Sequence, residues 1–283
     1  MPTHHSARSI PLPSGDLMPA LGQGTWELGN DRRRRAEEIR ALRTGLDLGM
    51  TLLDTAEMYG DGASEELVAE AIAGRRDEVF LVSKVLPQHA RKRDTVKACE
   101  GSLKRLHTDY LDLYLLHWRE DVPLSETLEG FEALKAAGSI RHWGVSNFDV
   151  EDMEELLELA GGKEVTTNQV LYNLTRRGIE RDLLPQAREL HLPLMAYSPI
   201  EQGRLLRDAT LRRIAERHHA TPAQIALAWI LRHPDICAIP RTGNPKHTKE
   251  NRGALDLQLS KQDLTDLDRA FPPPRRPVPL EMI

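Results

Sequence analysis

Long apolar runs are absent from this chain: nothing approaches the roughly 20 consecutive apolar residues that a membrane-spanning helix requires. The segment from Met1 to Arg8 lacks an apolar signal core, so a cytoplasmic location without membrane attachment is expected. Cysteine is scarce, with two in 283 residues. Cys237 sits in an apolar, strand-like run and Cys99 in a helical stretch, so both read as buried thiols in a reducing compartment. No spacing suggests a metal site. The adjacent pairs His4-His5 and His218-His219 point apart on a helix or a strand, so no metal is expected.

Excess basic charge is missing too. The net charge is −5 with both signs mixed along the chain, which argues against the basic face of a nucleic-acid binder. The one basic run, Arg32 to Arg35, is followed by Glu37 and Glu38 and reads as a solvated helix start. A dinucleotide fingerprint is also lacking. Gly22-Gln23-Gly24 begins like one, but Glu27 stands where the third glycine belongs and the helix comes too late.

What the chain has is rhythm. Short apolar runs begin near Leu21, Thr51, Val79, Leu111, Ile140, Val165, Leu194 and Ile236. The intervals suit the roughly 30 residues of a βαβ unit, apart from a longer last one. Several runs do not alternate, as expected of parallel strands covered on both faces. Helical periodicity fills gaps over 36–48, 95–106, 125–137 and 150–159. Two helices, 206–218 and 222–231, account for the long last interval, and Thr221-Pro222 is a cap followed by proline at the first helical position. A hairpin signal over 9–19 precedes the first run. The fold expected is α/β: one (β/α)8 TIM barrel over 1–283, its amino end plugged by the hairpin, with one extra helix between strands seven and eight. The proline-rich tail beyond Phe271 is non-helical and suggests an open pocket.

Four residues stand at or just past the ends of these runs: Asp54, Tyr59, Lys84 and His117. In such a barrel they converge on the carboxyl rim, where barrel enzymes place their chemistry. A lysine closing the run from Val79 to Val82 should be partly buried and needs a partner. An ammonium beside a tyrosine favours phenolate and pulls its pKa down from about 10. Aspartate holds the lysine charged, and histidine orients a carbonyl oxygen. This is equipment for protonating an oxygen that has just received a hydride. Arg241-Thr242-Gly243-Asn244, before a helix starting near Pro245, suits phosphate. Trp26 and Trp118 follow strand ends and read as pocket walls; Trp143 reads as core.

These residues occur in segments that resemble a known family. Asp54-Thr55-Ala56-Glu57-Met58-Tyr59-Gly60, Ser83-Lys84 and the run from Leu111 to Trp118 look like catalytic segments of the aldo-keto reductases. The runs Gly144 to Phe148, Asn168-Gln169, Ala196 to Pro199 and Ile239 to Thr242 look like their cofactor segments. The resemblance spans about 10–271 and most resembles bacterial methylglyoxal-reductase-like members. It implies NADPH-dependent reduction of aldehydes or ketones, methylglyoxal among the plausible substrates. Tyr59 would be the general acid, tuned by Lys84, which Asp54 holds, while His117 bonds the carbonyl. Tyr59, His117, Trp26 and Trp118 would line the substrate. Ser146, Asn147 and Gln169 would hold the nicotinamide carboxamide, and Tyr197 would stack on its ring. Thr25, Asp54, Ser198, Arg241, Thr242, His247, Glu250 and Asn251 complete the cofactor contacts. Many members carry arginine where His247 stands, to grip the adenosine 2′-phosphate. The NADPH preference is therefore expected to be weaker and pH-dependent.

Two other readings compete: a nicotinamide-nucleotide-sensing module resembling channel β-subunits, with little turnover, and a barrel hydrolase or isomerase using Asp54 and His117. A monomer acting on a small carbonyl compound, with no nucleic-acid partner, is expected.

Overall fold

The structure, a computed structural model, describes residues 8–283. His4-His5 lies outside the described residues. Strands β1 (Ser9–Pro11) and β2 (Leu17–Pro19) form the expected antiparallel hairpin, with Ile10 opposite Met18. Ile10, Leu12 and Met18 are buried in the core. Asp16 reaches His142 in the first half of a barrel strand at 3.0 Å, so the hairpin sits at the amino end of the barrel.

Eight parallel strands follow: β3 (Gly22–Gly24), β4 (Leu52–Asp54), β5 (Phe80–Val85), β6 (Leu111–Leu116), β7 (Ile140–Ser146), β8 (Asn168–Leu171), β9 (Leu194–Tyr197) and β10 (Ile236–Ala238). Each pairs with its neighbour in sequence. Parallel bridges from Leu21 to Ala238 and from Gly24 to Arg241 close the ring. The strands are buried almost throughout, as continuous apolar runs require. The (β/α)8 expectation is met.

Ten helices occur among the described residues: α1 (Arg35–Asp47), α2 (Ala63–Ile72), α3 (Lys92–Leu106), α4 (Leu124–Ala136), α5 (Val150–Glu158), α6 (Leu183–Glu189), α7 (Ala209–Arg217), α8 (Pro222–Leu231), α9 (Pro245–Gly253) and α10 (Lys261–Ala270). The extra helix between the seventh and eighth barrel strands is present, as α7 and α8. The Thr221 side chain caps α8 and Gln224 returns the bond. Helix α7 begins later than periodicity implies. Gln202 and Gly203 adopt positive φ and break the preceding turns, and Asp208 then caps α7 by accepting from the Leu211 N–H.

The sixth barrel strand also starts later than Val165. Thr166 and Thr167 precede it, and their hydroxyls donate to the Trp143 and Pro193 carbonyls, both at 2.8 Å. The β7–β8 pairing itself begins only at Val145 and Asn168. Trp143 is core, stacked on Phe131 with ring centroids 5.4 Å apart.

Gly144 lets β7 and β8 approach: a β-carbon there would stand 2.6 Å from the Thr167 carbonyl oxygen. A backbone neighbour does not yield as a side chain does. Gly144→Ala is expected to destabilise the fold by about 1–3 kcal/mol, the usual cost of overpacking. Urea denaturation checks this, and an unchanged midpoint would contradict the close approach.

Candidate active site

The strand register places the chemistry. Asp54 ends β4, Lys84 is the penultimate residue of β5, and His117 follows the last residue of β6. Ser146 ends β7, Gln169 lies in β8 and Tyr197 ends β9. Five of the six stand at carboxyl ends or next to them, Gln169 lies level with Ser146 at the end of β7, and Tyr59 comes in on the short helical turn after β4.

Lys84 is fully buried. Its ammonium donates to Asp54 Oδ2 at 2.8 Å, the Thr55 carbonyl at 2.9 Å and the Tyr59 hydroxyl at 3.1 Å. Three acceptors match its three donors, so the charge is satisfied without water. Burial works against the ammonium, but Asp54 and then Tyr59 outweigh it, and the Lys84 pKa rises. The other Asp54 oxygen, Oδ1, accepts from Gln169 Nε2 at 2.7 Å. The Asp54 carbonyl accepts from both the backbone N–H and the hydroxyl of Thr25, each at 3.0 Å.

The Tyr59 expectation needs correcting. Burial of its hydroxyl is the largest influence and pushes the pKa above the ordinary tyrosine value; Lys84 pulls the other way without prevailing. Tyr59 therefore keeps its proton at neutral pH. His117 stands edge-on to Tyr59, ring centroids 5.7 Å apart, and against Trp118 at 4.9 Å. Burial and the nearby Lys84 charge drive its pKa down to about 2. The imidazole is neutral, with one N–H and one acceptor nitrogen, and its buried Nδ1 has no hydrogen-bond partner.

A second group adjoins this cluster. Tyr197 donates its hydroxyl to Asn147 Oδ1 at 2.9 Å. Asn147, at a φ of 59°, donates its amide to the His117 carbonyl at 3.1 Å and to Ser146 Oγ at 3.2 Å. Ser146 Oγ donates to the Gln169 carbonyl at 2.9 Å. Gln169 and Asn147 thus tie this group to Asp54 and His117. These links join segments far apart in the chain and leave no mark in its patterning.

A third group gathers beyond β10. Arg241 is ion-paired with Glu27, and its guanidinium faces the ring of the exposed Trp26 at 5.9 Å. Thr242 Oγ1 accepts from the Asn244 N–H, and Asn244 caps α9 by accepting from Lys246 N–H at 2.9 Å. His247 is exposed on the first turn of α9; Glu250 is half-buried 3.9 Å from Lys246, and Asn251 is buried. Ser198 sits at a φ of 46°, its carbonyl accepting from Asn173. Trp118 is half-buried, its indole N–H on Glu120.

The tail does not leave the rim open as its prolines suggested. Arg176 bridges buried Glu201 and tail Glu281, at 3.0 and 2.5 Å. The Ile283 backbone lies beside the Tyr197 hydroxyl. Among the described residues no group of three or more His, Cys, Asp or Glu side chains is placed to hold a metal, and no helix is long and apolar enough to cross a membrane.

Comparison with known proteins finds related chains and structures. The family model described as "Aldo/keto reductase family" matches residues 20–271. The methylglyoxal reductase YeaE of Escherichia coli (strain K12) is 49% identical over 276 residues, covering 95% of this chain and 97% of the relative. A glyoxal reductase of Bacillus subtilis (strain 168) is 33% identical, covering 92% and 91%. The crystal structure of an aldo/keto reductase from Klebsiella pneumoniae in complex with NADP and acetate superposes with a TM-score of 0.95 at 49% identity, covering 98% of this chain and 99% of that one.

Removing one partner of a buried pair strands the other charge. Lys84→Met is expected to cost about 3–5 kcal/mol of stability, and adding Asp54→Asn to recover most of it. Denaturant midpoints of the two variants check this. A loss in Lys84→Met that Asp54→Asn deepens would contradict the pairing.

Proposed function

The chain belongs to the aldo/keto reductase family, and on that premise we propose that it reduces small aldehydes such as methylglyoxal, with Tyr59 as the proton donor. It is an NADP-dependent oxidoreductase that reduces carbonyl groups. The rim suits that cofactor. Hydrogen-bonding side chains of Ser146, Asn147 and Gln169 stand beside the Tyr59–His117 cluster, as a carboxamide requires. Cationic Arg241 and Lys246 stand with the amino end of α9, as phosphates require. When bound, the dihydronicotinamide supplies the hydride.

The observation that carries the reading is the contact of the Tyr59 hydroxyl with a buried, fully partnered ammonium at 3.1 Å. Tyr59 holds its proton until an oxygen beside it gains charge. As the proton leaves, the nascent phenolate meets Lys84 at once, in a site from which water is largely excluded. Asp54 and the Thr55 carbonyl keep Lys84 from following the tyrosine. Neutral His117 gives the carbonyl oxygen a hydrogen bond and costs no charge separation. Trp26 and Trp118 flank the approach as apolar walls. The relatives named above are reductases, which favours turnover over the nucleotide-sensing alternative.

Tyr59→Phe tests the assignment. The ring and its packing remain, and only the proton is lost. NADPH binding, followed by fluorescence, should be nearly unchanged, while methylglyoxal reduction should fall by at least about a hundredfold, the scale of losing a general acid. A rate near that of the unaltered enzyme would sink it.

A further inference from the structure

The basic run at Arg32–Arg35 reads from sequence as a solvated helix start, and three of its cations are placed. Arg33 pairs with Asp31 at 3.0 Å, Arg35 pairs with Glu70 at 2.6 Å, and Arg34 turns toward the loop after β10. A β-carbon built on Gly243 would stand 3.2 Å from Arg34 Nη2. Helix α1, which Arg34 precedes, packs along α9, which that loop enters. Arg34 therefore lies against the Arg241–Asn244 segment, within the third group of the rim.

Two features mark Arg34 as unusual. A cation at a helix amino end opposes the helix dipole, which favours anions there. Its ion pair is loose, 3.7 Å from Glu38 Oε1, and half of its side chain is exposed. Glu38 itself is buried and holds the Gly29 N–H at 2.9 Å. The acid is thus fixed in the wall and sets the guanidinium beside Gly243. Gly243 leaves room for this, since a β-carbon there would also meet Glu38 Cγ at 2.8 Å.

We propose that Arg34 binds the adenosine 2′-phosphate of NADP(H), supplying from the first barrel loop the guanidinium that His247 does not supply from α9. This rests on the cofactor reading given above. Arg241 would reach the same phosphate after exchanging Glu27 for it. Two guanidiniums converging from separate elements suit a dianionic group. Glu38 repels an anion placed there, and its bonds to Gly29 and Arg34 offset part of that repulsion.

The Arg34 side chain makes no capping hydrogen bond to α1, so Arg34→Gln and Arg34→Glu should fold. Titrate each variant and the unaltered protein with NADPH and with NADH, following protein fluorescence without a carbonyl substrate. Arg34→Gln should weaken NADPH about tenfold, a charge-assisted bond's worth, and leave NADH within about twofold. Arg34→Glu should weaken NADPH further, with NADH again little changed. Equal losses for both cofactors, or no NADPH loss in either variant, would overturn the assignment. An unaltered protein that prefers NADPH while both variants keep that preference refutes Arg34 alone. An unaltered protein with no preference refutes the cofactor reading as well.

Discussion

A fully buried ammonium is the constraint from which the rim is organised. Lys84 must find three acceptors inside the barrel, and it finds them on Asp54, Thr55 and Tyr59. Satisfying them fixes the height of β5 against β4 and pins the loop that carries Tyr59. Asp54 is in turn held by Gln169 from across the barrel and by Thr25 at its carbonyl. The cost of an unpaired buried charge is several kcal/mol, so these positions depend on one another. Reactivity and stability are therefore tied to the same few side chains.

Charge is arranged in sequence around the rim. At one end the Lys84–Asp54 pair and neutral His117 are buried with no net charge between them. At the other, Arg34, Arg241 and Lys246 face the amino end of α9, where dipole and cations reinforce each other. Between them lie neutral amides and hydroxyls linked from Gln169 through Ser146 to Asn147 and Tyr197. Arg241 is already engaged by Glu27, so an anionic ligand competes for it instead of finding it vacant.

Much of this was legible in the sequence because parallel strands announce themselves as apolar runs, and a polar residue closing such a run has few places to go. Lys84 and His117 were found that way. Tyr59 stands five residues past its run, and only the company of Asp54, Lys84 and His117 sets it apart from an ordinary loop tyrosine. Helix α2 left no amphipathic trace because it is buried on most sides, from Leu67 to Ile72, and α6 is too short, at seven residues, to show a period. Links between distant segments were invisible. Gln169 and Asp54 stand 115 residues apart, and the Arg34–Gly243 approach depends on how α1 and α9 pack. The direction of the Tyr59 pKa is not legible either, because patterning shows Lys84's influence but not the depth of the hydroxyl. The tail misled in a similar way: its prolines suggested openness, while the Arg176–Glu281 pair draws it toward Tyr197.

The central claim is that Tyr59 retains its proton despite the adjoining ammonium, held as a donor and not as a standing phenolate. Nuclear magnetic resonance of protein labelled at the tyrosine hydroxyl-bearing carbon, with Tyr59→Phe assigning the signal, reads this directly across a pH titration. Tyr59 is expected to remain a phenol through neutral pH and to ionise above the ordinary tyrosine value of about 10. A Tyr59 resonance already in the phenolate position at neutral pH would contradict it.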